Sequence, residues 1–389
     1  MTNLEVIDNL IDKGEHQKGF QLLQQFVEEN PEHTDQAYRL AVLSEQLGSH
    51  EETKAAYINC LRVAKNNVLC YLYAGTYFIN HDEARLGLAV LVKGHQLDGR
   101  LTMLYRYPQV AEQTKQRSYQ ADIALRDYFT NEHQRSIGEA PELSRVYQAI
   151  WPQTHNQAFE FLTDQQRPHL FYLPSISARP FWPASDTMDA ELVAQGFDDI
   201  HSEFNKLTDK IDSLGEPYLA EQYKQQGFEQ LAGSKNWTAL HLYKDGALNT
   251  ELAALLPKTL ALLDRLPLYR LGDTPFEVFY SVLKAGQHIT PHYGLSNHSL
   301  TVHLPLVVPG DGYLKVADEK QAWQVGELIA FDDSYIHEAT NASDEDRIVL
   351  IFSVWHPELS LTERKAIQQS FEWRKSLLQD NQNYLDKLL

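Results

Sequence analysis

The sequence predicts an α+β multidomain protein, in which an N-terminal α-helical repeat region precedes a double-stranded β-helix barrel of the jelly-roll or cupin-like kind with supporting helices. Apolar residues recur at helical spacing from Leu4 to about Leu97, in paired segments separated by short polar turns. Beyond about residue 235, short β-like runs alternate with turns rich in Gly, Pro, Asp and Asn. Such runs are typical of antiparallel folds with two packed sheets.

Composition limits the classes of protein that the chain can represent. The 389 residues are enough for two or three domains, and 43% apolar with 22% charged residues is typical of globular proteins. The 53 acidic residues outnumber the 34 basic ones, so the net charge of -19 disfavours nucleic acid as a partner. Two cysteines, Cys60 and Cys70, predict no disulfide framework. Without a leader-like N-terminus or a long apolar run, we expect a cytoplasmic protein with no membrane span.

The helical region carries a repeat signal. Gly14 and Gly48 lie 34 residues apart, each is followed by a polar turn, and a third turn follows at Asn80. This period is typical of tetratricopeptide-like repeats, which stack helix pairs on one another. A helical extension without true repeats is the other interpretation. We therefore predict tetratricopeptide-like repeats over residues 1–110, a helical connector over 111–166 and a catalytic-type barrel domain over 167–389.

The remaining elements are predicted from local patterns. We expect connector helices around Tyr119–Phe129 and Leu143–Phe161, and a barrel helix over Asp189–Leu207. The apolar runs predict strands at Trp237–Tyr243, Phe276–Leu283, Leu300–Val308, Gly326–Phe331 and Arg347–Trp355. The tail from Leu361 to Leu389 predicts an amphipathic helix, which we expect to pack on the barrel or on a second subunit.

Histidines and one arginine near these strands indicate a site for a metal ion and a carboxylate ligand. His292 and His337 lie at strand edges, where two imidazoles could hold one side of a ferrous ion and leave the other positions open. Either histidine alone is more often an ordinary hydrogen-bonded residue. Arg347 begins an otherwise apolar strand, where its planar fork could bind the carboxylate of a keto acid. A solvated arginine that pairs with Asp344 or Asp346 is the other interpretation.

Several segments together resemble the core of the aspartyl/asparaginyl β-hydroxylase family. They are KNWTALHLYKDG, SVLKAGQHITPHYGLSN, GELIAFDDSYIHEATNASDEDR and VWHPEL. The resemblance implies an Fe(II) and 2-oxoglutarate dependent dioxygenase that uses O2. It implies that His292 and His337 bind the iron, that Arg347 holds the distal carboxylate of 2-oxoglutarate with help from Ser281, and that His303 hydrogen-bonds the cosubstrate near the iron.

The motif around the first histidine differs from the HxD or HxE of most enzymes with this chemistry. Here it is His292-Tyr293-Gly294, and because glycine cannot ligate a metal, the third site on that face must be water. The animal members of the family resemble this sequence in that respect. Asp332 and Asp333 either orient groups around the metal or simply form the turn before His337.

A second difference concerns the substrate. The resemblance implies arginines that hold an acidic substrate side chain on the strand of His303, and the aligned positions are Ser299 and Thr301. We expect hydroxylation of a C–H bond in an Asp/Asn-like side chain of a peptide or protein, which the helical repeats could present. The alternatives are a degenerate ligand-binding barrel with a repeat scaffold, or a hydroxylase of a small amino acid or a lipid.

Overall fold

The computed structural model describes residues 4–226 and 228–389. The chain divides into two compact units, of which the first runs to Ser136 and also includes Thr154–Asn156 and Phe371–Leu389. The second comprises Ile137–Gln153 and Gln157–Ser370. The domain boundaries proposed from the sequence stay a prediction. Within the described residues, no helix combines the length and the apolar character needed to cross a bilayer.

The first unit is built from helical hairpins. Its helices are α1 (Leu4–Asp12), α2 (His16–Glu29), α3 (Thr34–Leu47), α4 (His50–Val63), α5 (Val68–Asn80), α6 (Ala84–Leu97) and α7 (Glu112–Ile137). The polar turns predicted near Gly14, Gly48 and Asn80 separate the helices of successive pairs. Ser49 caps α4 in a reciprocal capping box with Glu52, which explains why this turn is readable in the sequence.

The core of this unit is apolar and includes part of the C-terminal helix. Buried side chains from α4 to α7, such as Leu72, Leu91 and Leu125, pack together with Leu385. The tail was expected to pack on the barrel or on a second subunit, but beyond Phe371 it packs among these helices instead. The two cysteines, for which no disulfide framework was expected, join α4 to α5 in one disulfide with their Cα atoms 6.6 Å apart.

The second unit contains short helices and antiparallel sheets. Its helices are α8 (Ser144–Tyr147), α9 (Ala184–Thr187), α10 (Ala190–Asn205), α11 (Ile211–Leu214), α12 (Thr250–Leu255), α13 (Pro257–Leu263) and the first part of α14 (Leu361–Leu388). The helix predicted over Leu143–Phe161 is therefore wrong beyond Tyr147. Pro152 lacks a backbone N–H and disfavours helical backbone at Trp151, so a helix cannot run unbroken to Phe161.

The strands form one large sheet, one small sheet and a hairpin. They are β1 (Phe181–Trp182), β2 (Glu216–Pro217), β3 (Trp237–Lys244), β4 (Ala247–Leu248), β5 (Arg270–Leu271), β6 (Thr274–Pro275), β7 (Val278–Leu283), β8 (His288–His292), β9 (Ser299–Val307), β10 (Gly312–Val316), β11 (Glu319–Gln321), β12 (Ile329–Phe331), β13 (His337–Asn341) and β14 (Arg347–Trp355). The large sheet has the order β1-β12-β9-β14-β7-β3-β2, with β4 on β3, and the small sheet has the order β11-β10-β13-β8.

Each face of the large sheet has its own core. Leu240, Val302 and Leu350 point to one face, where they pack against Ile200 and Phe204 of α10. The opposite face contributes Leu283 and Val349 to a second core, together with Leu314, Val316 and Ala339 of the small sheet. The side chains of the candidate site lie on this second face, between the two sheets.

Candidate active site

His292 and His337 face each other at the edge of the small sheet. His292 ends β8 and His337 begins β13, and the two are direct partners in the antiparallel register. Their ring centroids lie 4.1 Å apart. His292 Nδ1 lies 2.8 Å from the carbonyl oxygen of Thr290, and His337 Nδ1 lies 2.9 Å from that of Tyr335. Because each Nδ1–H donates to backbone, each Nε2 is left as an acceptor, which is the tautomer a metal ligand needs.

Burial keeps these imidazoles neutral. It lowers the pKa of His337 to about 3, with a further contribution from the His292 charge. The pKa of His292 is also lowered, chiefly by burial. A metal that binds a neutral imidazole has no proton to displace at pH 7. Two histidines, and no third protein donor, suit a metal with water in the remaining positions. Among residues 4–226 and 228–389, no cluster of three His, Cys, Asp or Glu side chains could hold a metal ion.

Asp333 occupies the space that a ligand side chain at position 294 would need. Gly294 N–H donates to the carbonyl oxygen of Asp333 at 2.7 Å. A Cβ atom at Gly294 would lie 2.4 Å from Asp333 Oδ1, closer than real Cβ contacts. Thr301 Oγ1 donates to Asp333 Oδ2 at 2.9 Å, which holds the carboxylate there. The glycine of the HxG motif is therefore required by packing against Asp333, and a role of Asp333 at the metal stays a prediction.

For this steric reason, the protein should not accommodate a carboxylate side chain at position 294. We expect Gly294→Asp to destabilise the metal-free protein by about 1–3 kcal/mol, as overpacking usually does, and to give no gain in turnover. The loss should be smaller in an Asp333→Ala background, because the main obstacle is gone. Thermal unfolding of the wild-type protein, the two single variants and the double variant measures how the stability loss at position 294 depends on Asp333. Equal losses with and without Asp333→Ala would contradict the steric explanation.

Arg347 is a buried, positively charged side chain of the site. It is 2% exposed, and its Nε and Nη1 atoms have no hydrogen-bond partner in the described part of the chain. Its guanidinium carbon lies 4.7 Å from the centroid of the Trp323 ring. Burial lowers the pKa of Arg347 to about 9. The alternative of a solvated arginine is wrong, because the Arg347 side chain is buried; Asp346 pairs with Lys284 at 2.8 Å instead. An arginine buried with free donors is suited to receive an anionic ligand.

Ser281 and His303 are buried on the same face of the sheet as Arg347, and each is held by a tryptophan. Trp237 Nε1 donates to Ser281 Oγ at 3.1 Å, and Trp323 Nε1 donates to His303 Nδ1 at 3.2 Å. The pKa of His303 lies well below its usual range because of burial, with contributions from the Arg347 and His337 charges. His303 thus lies near both the arginine and the histidine pair. Ser281, His303 and Arg347 thus share one face of the large sheet, the histidine pair belongs to the small sheet, and the roles of all five stay predictions.

Sequence reasoning missed several supporting residues. Trp237 stood in a motif that carried the family resemblance, but no role was assigned to it. Trp323 lies in an unremarkable loop and gave no signal. Gln166 donates to Asp332 at 2.9 Å from a segment that was interpreted only as a connector. Asp332 also accepts from the backbone N–H of Ser334 at 3.0 Å. These contacts join residues far apart in sequence, so only the folded chain reveals them.

Buried histidines should make the metal-free protein sensitive to acid. The pKa is lowered to about 3 for His298 and His337 and to about 4 for His356, mainly by burial, so each takes up a proton only on unfolding. Burial raises the pKa of Asp332 to about 7 and that of Asp333 to about 6, which acts in the opposite direction. The histidines outnumber the carboxyls, so the free energy of unfolding should fall as pH drops below about 6.5.

The expected slope is about 1.4 kcal/mol per pH unit for each net proton taken up. Urea unfolding at pH 5 and pH 7 in the presence of a chelator measures this slope. Asp332→Asn removes a carboxyl group that favours the folded state at low pH. The free energy of unfolding should therefore fall more steeply with falling pH in this variant. Greater stability at pH 5 than at pH 7 would show that the carboxyl groups dominate.

Two facing sheets with a histidine pair and a buried arginine between them define a β-rich domain that carries a candidate ligand site. Residues 194–357 match the family model described as Aspartyl/Asparaginyl beta-hydroxylase. This segment of the chain is therefore similar to the aspartyl/asparaginyl β-hydroxylase family.

The names of the relatives reported below all include beta-hydroxylase. The chain is 30% identical over 221 residues to the aspartyl/asparaginyl beta-hydroxylase of Homo sapiens, covering 56% of this chain and 28% of that protein. It is 31% identical over 212 residues to aspartate beta-hydroxylase domain-containing protein 2 of Xenopus tropicalis, covering 53% of this chain and 55% of that protein. For domain-containing protein 1 of Homo sapiens, identity is 29% over 210 residues, and the coverage is 53% and 52%. The chain thus spans about half or less of the length of these relatives.

Proposed function

We propose that the protein is an Fe(II) and 2-oxoglutarate dependent dioxygenase that hydroxylates a C–H bond in an Asp/Asn-like side chain of a peptide or protein. The observation that carries this proposal is the pairing of His292 with His337, each with Nε2 available, on the same side of the domain as the unpaired donors of Arg347. The names of the relatives support hydroxylation as the reaction class.

The residues present fit the proposed iron. His292 and His337 would hold it, and neutral imidazole is a suitable ligand for iron. When bound, the iron would supply the oxidative chemistry by which 2-oxoglutarate and O2 give succinate, CO2 and a hydroxylated side chain. The protein's own part is to bind, orient and exclude water. Asp333, fixed by Thr301 and the N–H of Gly294, lies where it could orient water beside His337.

Arg347 would bind the distal carboxylate of 2-oxoglutarate. Its charge and its unpaired Nε and Nη1 donors are available to that carboxylate, and the surrounding tryptophan and leucine side chains exclude water that would weaken the interaction. Ser281 Oγ, which already accepts from Trp237, still has its own proton to donate to that carboxylate. His303 is held by Trp323 at Nδ1, so its other ring nitrogen is the donor toward the cosubstrate.

The architecture supports the same proposal. We infer that the large and small sheets form a double-stranded β-helix of the jelly-roll kind, because both contribute to one core and the site lies between them. We also infer that the helical hairpins are tetratricopeptide-like repeats that present a peptide or protein substrate. A cytoplasmic location stays a prediction.

Uncoupled turnover tests the activity without knowledge of the substrate. Under anaerobic conditions, Fe(II) and 2-oxoglutarate should give the weak visible charge-transfer band of a chelated keto acid, and oxygen should then yield succinate slowly. Protein without added Fe(II) is the control. Absence of both signals in correctly folded, metal-loaded protein would favour the degenerate barrel with a repeat scaffold.

A further inference from the structure

The face of the large sheet that carries the site has acidic side chains near one end, where β7 begins and β14 ends. Phe352 pairs with Val278, and Ser353 pairs with Thr301 on the neighbouring strand. Val278 and Phe352 point to the opposite, helix-covered core. Since successive side chains of a strand alternate between faces, Glu277, Ser353 and Thr301 share the face of the candidate site. This end of the face therefore offers one carboxylate and two hydroxyls.

Asp333 adds a second carboxylate to the same end. It accepts from Thr301 Oγ1 at 2.9 Å, which fixes its position beside that strand. Glu277 precedes Val278, the partner of Phe352, and Thr301 pairs with Ser353 on the other side of β14, so both carboxylates lie at the same end of the face. Glu277 Oε1 lies 3.2 Å from Nε2 of the buried His241, which fixes the glutamate from the other side. Glu277 nevertheless keeps 28% of its side-chain surface exposed, so it can reach a ligand.

Arg347 provides independent evidence that a ligand enters between the sheets. Its side chain is buried on this same face, and its Nε and Nη1 donors have no partner among the residues that the structure describes. A buried charged group without a partner is costly unless a ligand completes its hydrogen bonds. The end of the face with Arg347 is thus suited to bind an anion. The end with Glu277 and Asp333 is suited to bind a group that donates hydrogen bonds.

We propose that Glu277 makes the enzyme prefer asparaginyl over aspartyl side chains, an inference that rests on the proposed function. An asparagine amide has two N–H donors, and Glu277 can accept one of them. An aspartate carboxylate would instead face Glu277 and Asp333, and the side chains at Ser299 and Thr301 supply no cation to hold it. Like charges brought together away from water repel strongly.

Two matched peptide libraries test the preference. They carry a central Asn or a central Asp between the same randomised residues, and mass spectrometry measures the gain of one oxygen atom that depends on 2-oxoglutarate. We expect the Asn library to be hydroxylated at least roughly tenfold faster by the wild-type protein. Glu277→Gln, which is isosteric but uncharged, should reduce this ratio by roughly tenfold. Ser299→Arg should raise turnover of the Asp library.

The control is Glu327→Gln, which removes the same charge from an exposed loop position and should keep the wild-type ratio. Equal or faster turnover of the Asp library by the wild-type protein would overturn the proposal, as would an unchanged ratio in Glu277→Gln. Turnover of neither library by protein that does form succinate would also count against it. Absence of succinate formation would instead refute the proposed function, so the two failures are distinguishable.

Discussion

Replacing His337 by alanine is expected to abolish both the charge-transfer band and succinate formation. His292 and His337 are the two imidazoles whose Nε2 atoms are available at the facing strand ends, so either replacement leaves one protein ligand for the iron. Loss of an outer-shell partner alone usually costs about 10–100-fold in metal affinity or activity. We therefore expect a loss of more than about a hundredfold for His292→Ala and His337→Ala, measured as succinate formed per unit of protein.

His288→Ala is the matched control. His288 begins the same strand that His292 ends, but it is exposed and pairs with Glu338 at 3.0 Å. Its replacement should leave succinate formation near the wild-type rate, since exposed pairs contribute little. Near-normal activity of His337→Ala, with bound iron confirmed by elemental analysis, would show that the histidine pair is not the metal site.

The helical half of the molecule could be predicted closely from the sequence. Its hairpins depend on local interactions, and each break coincides with a local signal such as the Ser49 capping box or the positive φ of 78° at Gly14. The surface on which the C-terminal helix packs could not be predicted. Its apolar face fits any apolar surface, and the choice is made by tertiary packing around Leu385.

Among the strands, the predictable ones were those buried on both faces. Arg347–Trp355 was predicted with its observed bounds because it is a continuous apolar run in the middle of the large sheet. β8 and β13 were missed, although each has a site histidine at one of its ends. β8 is an edge strand that contains Pro291, and both strands are short and rich in polar residues, so neither has the alternation that marks a strand.

The residue types of the site were predictable, but their environment was not. Spacing and resemblance singled out the histidines and the arginine. They could not show that Arg347 lies over Trp323, or that Asp333 fills the space beside Gly294, because these contacts cross between strands. The acidic end of the site was missed for the same reason, since only the strand pairing places Glu277 beside the other site residues.

Replacing Arg347 by methionine should have opposite effects on binding and on stability. The variant removes a charge that is buried with two unpaired donors, and methionine fills a similar volume between the sheets. Leaving a buried polar group unsatisfied costs about 1–3 kcal/mol, partly offset here by the contact with Trp323, so the ligand-free protein should become more stable. The affinity for 2-oxoglutarate should fall by roughly a hundredfold or more, because the distal carboxylate loses its cation.

Arg347→Lys separates charge from geometry. Lysine keeps the positive charge but cannot form two parallel bonds to one carboxylate, so its affinity for 2-oxoglutarate should lie between those of the wild-type protein and Arg347→Met. The matched control is Arg179→Met, since Arg179 also lies over a tryptophan ring, at 3.8 Å from the Trp182 centroid, but is half exposed. That variant should change neither property. Wild-type affinity in a folded Arg347→Met protein, measured by titration of the visible band, would show that the cosubstrate carboxylate binds elsewhere.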